Sequence, residues 1–153
     1  MTMFQRAITR QMSDGLGKPG TAMILYGPRQ AGKTTLVKRL LQEIPDAIVF
    51  IGDDLYTQSL LARHELEYLK RIVGGATSIF IDEAQRIENI GLTLKLQVDH
   101  LPVTVIASGS TSLELADRLR EPVTGRARSF HLHPLLGGGG RKIQNKRSGK
   151  GHR

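Results

Sequence analysis

The chain has 153 residues, 39% of them apolar and 24% charged, enough for one domain with a core and too few for two. It has no cysteine, which excludes a disulfide scaffold, a thiolate zinc site, an iron–sulfur cluster and a cysteine nucleophile. Tryptophan is absent and aromatics are 5%, which argues against a stacking platform for single-stranded nucleic acid.

The net charge of +8 is unevenly spread. Six of the 22 basic residues and none of the 14 acidic ones fall in 137–153, leaving 16 against 14, or +2, before them. No apolar run approaches the ~20 residues of a membrane span, and the N-terminus lacks the apolar block of a secretory signal. A cytoplasmic protein with no membrane partner is therefore expected.

In chain order, residues 1–20 read as a helix and a loop, with Phe4, Ala7, Ile8 and Met12 at roughly helical spacing before Gly15, Gly17, Pro19 and Gly20 break it. From Thr21 the pattern alternates. Strands are expected over 21–27, 46–52, 77–82, 103–109 and 127–135. Helices are expected over 33–44, 55–73, 89–99 (with Leu92 and Leu96 in it and Asp99 ending the turn) and 112–119. Near-continuous apolar strands between amphipathic helices predict a parallel sheet covered on both faces. The composition shifts after Leu136. Residues 137–153 are four glycines and a basic stretch with Ile143 as the one sizeable apolar residue, too little to offset the entropy of ordering. This tail is expected to be disordered and to bind nucleic acid weakly, without sequence preference.

Residues 27–34, GPRQAGKT, satisfy G-x-x-x-x-G-K-[ST] directly after a buried strand and at the start of a helix. Gly27 and Gly32 allow a tight turn whose N–H groups face phosphate oxygens, with Pro28, Arg29, Gln30 and Ala31 between them and Thr35 following. The helix start adds positive partial charge. Lys33 reaches the β- and γ-phosphates, and the Thr34 hydroxyl can ligate Mg²⁺. The pattern predicts ATP bound with Mg²⁺.

The strand over 77–82 ends in Asp82-Glu83, 49 positions after Lys33 (82 − 33). Asp82 would join the Mg²⁺ shell, and Glu83 would orient and deprotonate an in-line water, which favours hydrolysis over transfer to a small hydroxyl acceptor. The same pair also suits a plain helix start, Asp as cap and Glu in the first turn. Asp82-Glu83-Ala84-Gln85 resembles a helicase motif as well, but helicases of that kind need two such domains. Ser108 ends the fourth strand; if that strand lies between the first and third, its hydroxyl meets the γ-phosphate or the attacking water. Otherwise this stretch is a strand-to-helix cap by Ser110 or Ser112. Arg118, Arg120, Arg126 and Arg128 cluster before the last strand, either as an exposed basic face or as a face against a neighbouring subunit's nucleotide, Arg126 being the best single candidate. The five histidines show no metal-ligand spacing; His131 and His133 alternate on one strand.

GPRQAGKTTL, FIDEAQRI, ASGSTSLEL and EPVTGRARSFHLHPL together resemble the bacterial and archaeal ATP-binding proteins with an AAA-type domain, the AAA_14-like family, over roughly residues 4–136. That resemblance implies an α/β P-loop NTPase three-layer sandwich of the ASCE class, with a parallel five-stranded sheet of order 5-1-4-3-2 spanning 21–136. It implies Lys33 and Thr34 on phosphate and Mg²⁺, Asp82 on Mg²⁺, Glu83 as the water-activating base, Ser108 as a polar sensor and Arg126 as an arginine finger in a homo-oligomer. The chain departs from the family in carrying Ser108 where Thr is usual. It also runs from Pro134-Leu135-Leu136 into glycines where members continue into a C-terminal domain, as a truncated member would. Two other readings stay open: a nucleotide-binding module without turnover, and a nucleic-acid-binding protein acting through its tail.

Overall fold

The computed structural model describes residues 3–44, 46–110 and 113–133. The expected tail, the Ser112 cap and the last part of the expected strand 127–135 lie outside the described residues. Five strands, β1 (Thr21–Tyr26), β2 (Ala47–Ile51), β3 (Ser78–Asp82), β4 (Thr104–Gly109) and β5 (Ala127–His131), form one sheet of order β2-β3-β4-β1-β5. All four pairings are parallel. Read from the other edge this is 5-1-4-3-2, the expected order.

Strand side chains alternate between two apolar layers. Met23, Leu25, Phe80, Ile106 and Phe130 pack against α1 (Met3–Gly15) and α2 (Lys33–Leu41). Ala22, Ile24, Ile79, Ile81, Val105 and Ala107 pack against the opposite layer, α3 (Leu55–Leu61), α4 (Leu66–Val73), α5 (Ile90–His100) and α6 (Leu113–Arg120). β3 and β4 are buried at every position, as their apolar runs suggest. β2 is not: it is an edge strand, and Val49 and Ile51 remain 41% and 42% exposed.

The helix expected over 55–73 is two helices, α3 and α4, parted at 62–65. Burial explains the break. α3 buries Thr57 and Leu61, and α4 buries Leu69 and Val73. At 100° per residue a continuous helix would set Leu69 about 80° from Leu61 and Val73 about 160° from Thr57. The break lets both pairs face the sheet. At the end of α3, the Leu61 carbonyl accepts a bond from the Thr93 hydroxyl of α5, 2.6 Å away.

Two helices bury faces that apolar spacing does not mark. α1 buries Gln5, Ile8 and Met12, while Phe4 is 40% exposed with its ring 5.0 Å from that of His133. α5 buries Ile90, Thr93, Leu94, Gln97 and Val98, and Leu92 faces outward. Polar Thr93 and Gln97 hold core positions there, so apolar spacing alone does not define that face.

Thr93 is fully buried. Replacing it with Val keeps its shape and leaves the Leu61 carbonyl without its donor, so Thr93→Val should lower the unfolding free energy by about 1–3 kcal/mol. Urea denaturation of the two proteins measures this; equal midpoints would mean the bond contributes nothing.

Candidate functional site

The site forms where the carboxyl ends of β1, β3 and β4 meet. After β1, Gly27 and Pro28 lead into a single 3-10 turn (Arg29–Ala31, which holds Gln30), and Gly32 opens α2. Gly32 has φ 86°, a left-handed backbone that glycine adopts without penalty. Lys33 follows in the first turn of α2 and is 3% exposed. Its ammonium donates to the Gly27 and Pro28 carbonyls at 2.8 and 2.7 Å, folding back across its own loop. Burial pushes its pKa down; Glu83 and Asp82 pull it up, and Arg29 adds to the lowering.

Asp82 is 9% exposed and accepts from two hydroxyls. Thr34 Oγ1 lies 3.2 Å from each carboxylate oxygen, and Ser108 Oγ donates to Oδ1 at 2.8 Å. Ser108, fully buried on β4 between β1 and β3, also accepts the backbone N–H of Glu83 at 3.3 Å. Thr34, Asp82, Ser108 and Glu83 therefore form one hydrogen-bonded chain across three elements.

Glu83 sits at φ 52°, ψ 50°, a left-handed conformation that costs a non-glycine residue about 1–2 kcal/mol. Its N–H bond to Ser108 helps hold it there, as does the close approach of Gly52. A Cβ at position 52 would lie 2.1 Å from the Glu83 carbonyl oxygen and 2.6 Å from that of Asp82, so glycine alone fits. The Glu83 carboxylate takes a donor on each oxygen: Gln85 Nε2 at 2.7 Å on Oε1 and the Ser110 hydroxyl on Oε2. Burial alone would raise its pKa. The bonds from Ser110 and Gln85, with the charges of Lys33 and Arg29, outweigh burial and hold the carboxyl below the usual glutamate range.

The structure thus gathers Gly27, Pro28, Gly32, Lys33, Thr34, Asp82, Glu83 and Ser108, and leaves Arg126 out. Arg126 precedes β5 and its carbonyl accepts from Ala22 N–H, at the start of β1, while the loop follows the far end of that strand. Six strand residues separate the two, roughly 20 Å. Its guanidinium pairs with Asp99. Of its neighbours, Arg120 pairs with Asp117, and Arg128 lies over the Phe130 ring. His131 stacks on Tyr26 at 4.7 Å and its ring is 4.2 Å from that of His133. Among the described residues no three His, Cys, Asp or Glu side chains group as metal ligands.

Two residues that touch Glu83 were not singled out as site residues from sequence. Ser110 follows Ser108 by two positions, the spacing that returns an extended chain to the same side. Gln85 stood inside the Asp-Glu-Ala-Gln string, but its reach back to Glu83 depends on the left-handed turn, which no residue type there announces.

Comparison with known proteins agrees with this fold. The model of the AAA_14 family, described as an AAA domain, matches residues 20–137. Two mycobacterial proteins, Mb2031c of Mycobacterium bovis and Rv2008c of Mycobacterium tuberculosis, are each 32% identical over 115 residues. Those residues are 74% of this chain and 25% of each relative, so the chain spans about a quarter of their length. Among solved structures, one of Drosophila ORC bound to DNA superposes with a TM-score of 0.60 at 11% identity, covering 88% of this chain and 92% of that one. A DNA replication initiation factor superposes with a TM-score of 0.54 at 16% identity, over 96% of this chain and 51% of that one. Both share the fold, and with the family model matched from the loop strand through β5, the chain belongs to the AAA-domain family.

Proposed function

We propose that this domain binds ATP with Mg²⁺ on residues 27–35 and hydrolyses it with Glu83 as the base that activates water. One observation carries the reading: Gln85 and Ser110 hold the Glu83 carboxylate directly after the Thr34–Asp82 pair, at the strand end that the phosphate loop also occupies. A plain helix start does not call for a strained carboxylate gripped by two side chains.

Thr34 and Asp82 suit Mg²⁺, since both offer hard oxygen donors that already converge. Bound there, the ion would neutralise charge on the phosphate oxygens. The chain's own residues do the rest. Lys33 exchanges two neutral carbonyls for charged phosphate oxygens, a stronger partner for an ammonium. The loop N–H groups and the start of α2 orient the phosphates. Glu83 accepts a proton from the water that attacks the γ-phosphorus, and ADP leaves. Ser108 holds Asp82 in place. Arg126 belongs to this reading only as a group presented to another copy's nucleotide, because its own loop lies at the other end of β1.

Lys33→Ala should weaken ATP·Mg²⁺ binding on the order of ten- to a hundredfold, the equivalent of losing charge-assisted contacts of ~1.5–3 kcal/mol. Calorimetric titration decides it, equal affinities being the contrary result. Glu83→Gln should bind ATP like the parent and turn it over ~10²-fold more slowly, measured as phosphate release at saturating ATP. If the parent binds ATP but releases no phosphate, the domain is a nucleotide-binding module without turnover.

A further inference from the structure

Gln85 makes one bond that the fold does not require. It lies in the single 3-10 turn Ala84–Arg86, whose backbone is already closed by Arg86 N–H to the Glu83 carbonyl and Ile87 N–H to the Ala84 carbonyl. The turn is anchored on both sides of Gln85, by fully buried Ala84 and by Arg86, whose guanidinium pairs with Asp53 at 3.0 Å. The side chain of Gln85 is free of these tasks, and it reaches back to Glu83.

Its orientation follows from chemistry. The Gln85 Oε1 atom is buried and has no hydrogen-bond partner, while Nε2 donates to Glu83 Oε1 at 2.7 Å. Turning the amide over would set its oxygen against a carboxylate oxygen, two acceptors with no proton between them. A side chain that leaves a buried carbonyl unsatisfied in order to donate to one carboxylate is placed for that donation. Ser110 donates to the other oxygen, from the segment that follows β4. The two donors come from different elements and grip the carboxylate from both sides.

We propose that Gln85 is a positioning residue that, with Ser110, fixes the Glu83 carboxylate in its orientation toward the nucleotide site. This rests on the reading of Glu83 as the base. Gln85 itself touches neither nucleotide nor water in this account; it acts through Glu83. With the donor gone, the carboxylate swings about the Ser110 bond and meets the water in fewer of its orientations, so the loss falls on turnover and not on ATP binding.

Two variants of Gln85 test this against the parent. Gln85→Met keeps the length and bulk of the side chain and removes the donor; Gln85→Glu puts a second acceptor against the carboxylate. In Gln85→Met kcat should fall on the order of tenfold, and in Gln85→Glu further, with KM for ATP and the Kd of a non-hydrolysable ATP analogue within about twofold of the parent. A side chain that only packs would give Gln85→Met the parent's kcat, and that result overturns the proposal. A second readout needs no turnover. In the parent, one side-chain amide proton of Gln85 should appear downfield and exchange slowly with water in ¹H–¹⁵N spectra, and Glu83→Ala should return it to the position of a free amide. Identical amide signals in the two proteins also overturn the proposal. Parent-like turnover by Glu83→Gln would instead remove the base reading, leaving the amide spectra to decide whether Gln85 holds that carboxylate.

Discussion

A carboxylate at the end of a fully buried strand must be solvated by protein, and the site is built around that need. β3 is buried at all five positions and Asp82 closes it. Removing water from a carboxylate costs far more than neighbouring apolar burial returns, unless donors replace the water. Thr34 and Ser108 supply them, 48 and 26 positions away in the chain. Only a sheet with β4 between β1 and β3 brings the end of β4 and the start of α2 to this one point. The same Ser108 oxygen accepts the Glu83 N–H, so the bond that solvates Asp82 also secures the strained residue after it.

Lys33 presents the matching problem with opposite sign. It is nearly as buried as the core residues around it, and burial is the largest influence on its pKa, in the lowering direction. Two loop carbonyls serve its ammonium, and the carboxylates of Asp82 and Glu83 favour its charge from a greater distance. The loop thus closes on itself through its own lysine.

Much of this frame was legible in residue order. Continuous apolar runs mark β3 and β4 because both faces of a central strand are covered, and the glycine-lysine spacing marks the loop because backbone must approach phosphate. What escaped depends on partners distant in sequence. The break between α3 and α4 comes from matching two buried pairs to one sheet, while the residues of 55–73 contain no proline or glycine before Gly74 to announce it. Leu92 faces outward because Thr93 and Gln97 take the inner face of α5, one of them to serve a carbonyl 32 positions away. Gln85 and Ser110 join the site through the left-handed turn at Glu83, and that turn is held by Gly52, whose close approach spacing alone does not reveal.

Arg126 shows how topology limits what one chain can do. β1 and β5 run parallel in register from Ala22 and Ala127 to Tyr26 and His131. The phosphate loop follows the last of these pairs and Arg126 precedes the first. No rotamer of Arg126 closes a gap of roughly 20 Å, so within one chain it can only be structural. There it holds Asp99, which Lys95 also bonds. Exposed pairs of this kind contribute little, and Asp99 keeps a partner when Arg126 leaves. The proposed nucleotide site lies at the strand exit, so a head-to-tail contact, in which the entrance of one copy meets the exit of the next, would bring Arg126 to it. A two-fold pair would set like ends together and bring Arg126 no nearer to phosphate unless the interface covered both ends at once. Any role for Arg126 in hydrolysis therefore requires an assembly that sets the strand entrance of one copy against the strand exit of another, through a heterologous repeat or a two-fold interface spanning both ends.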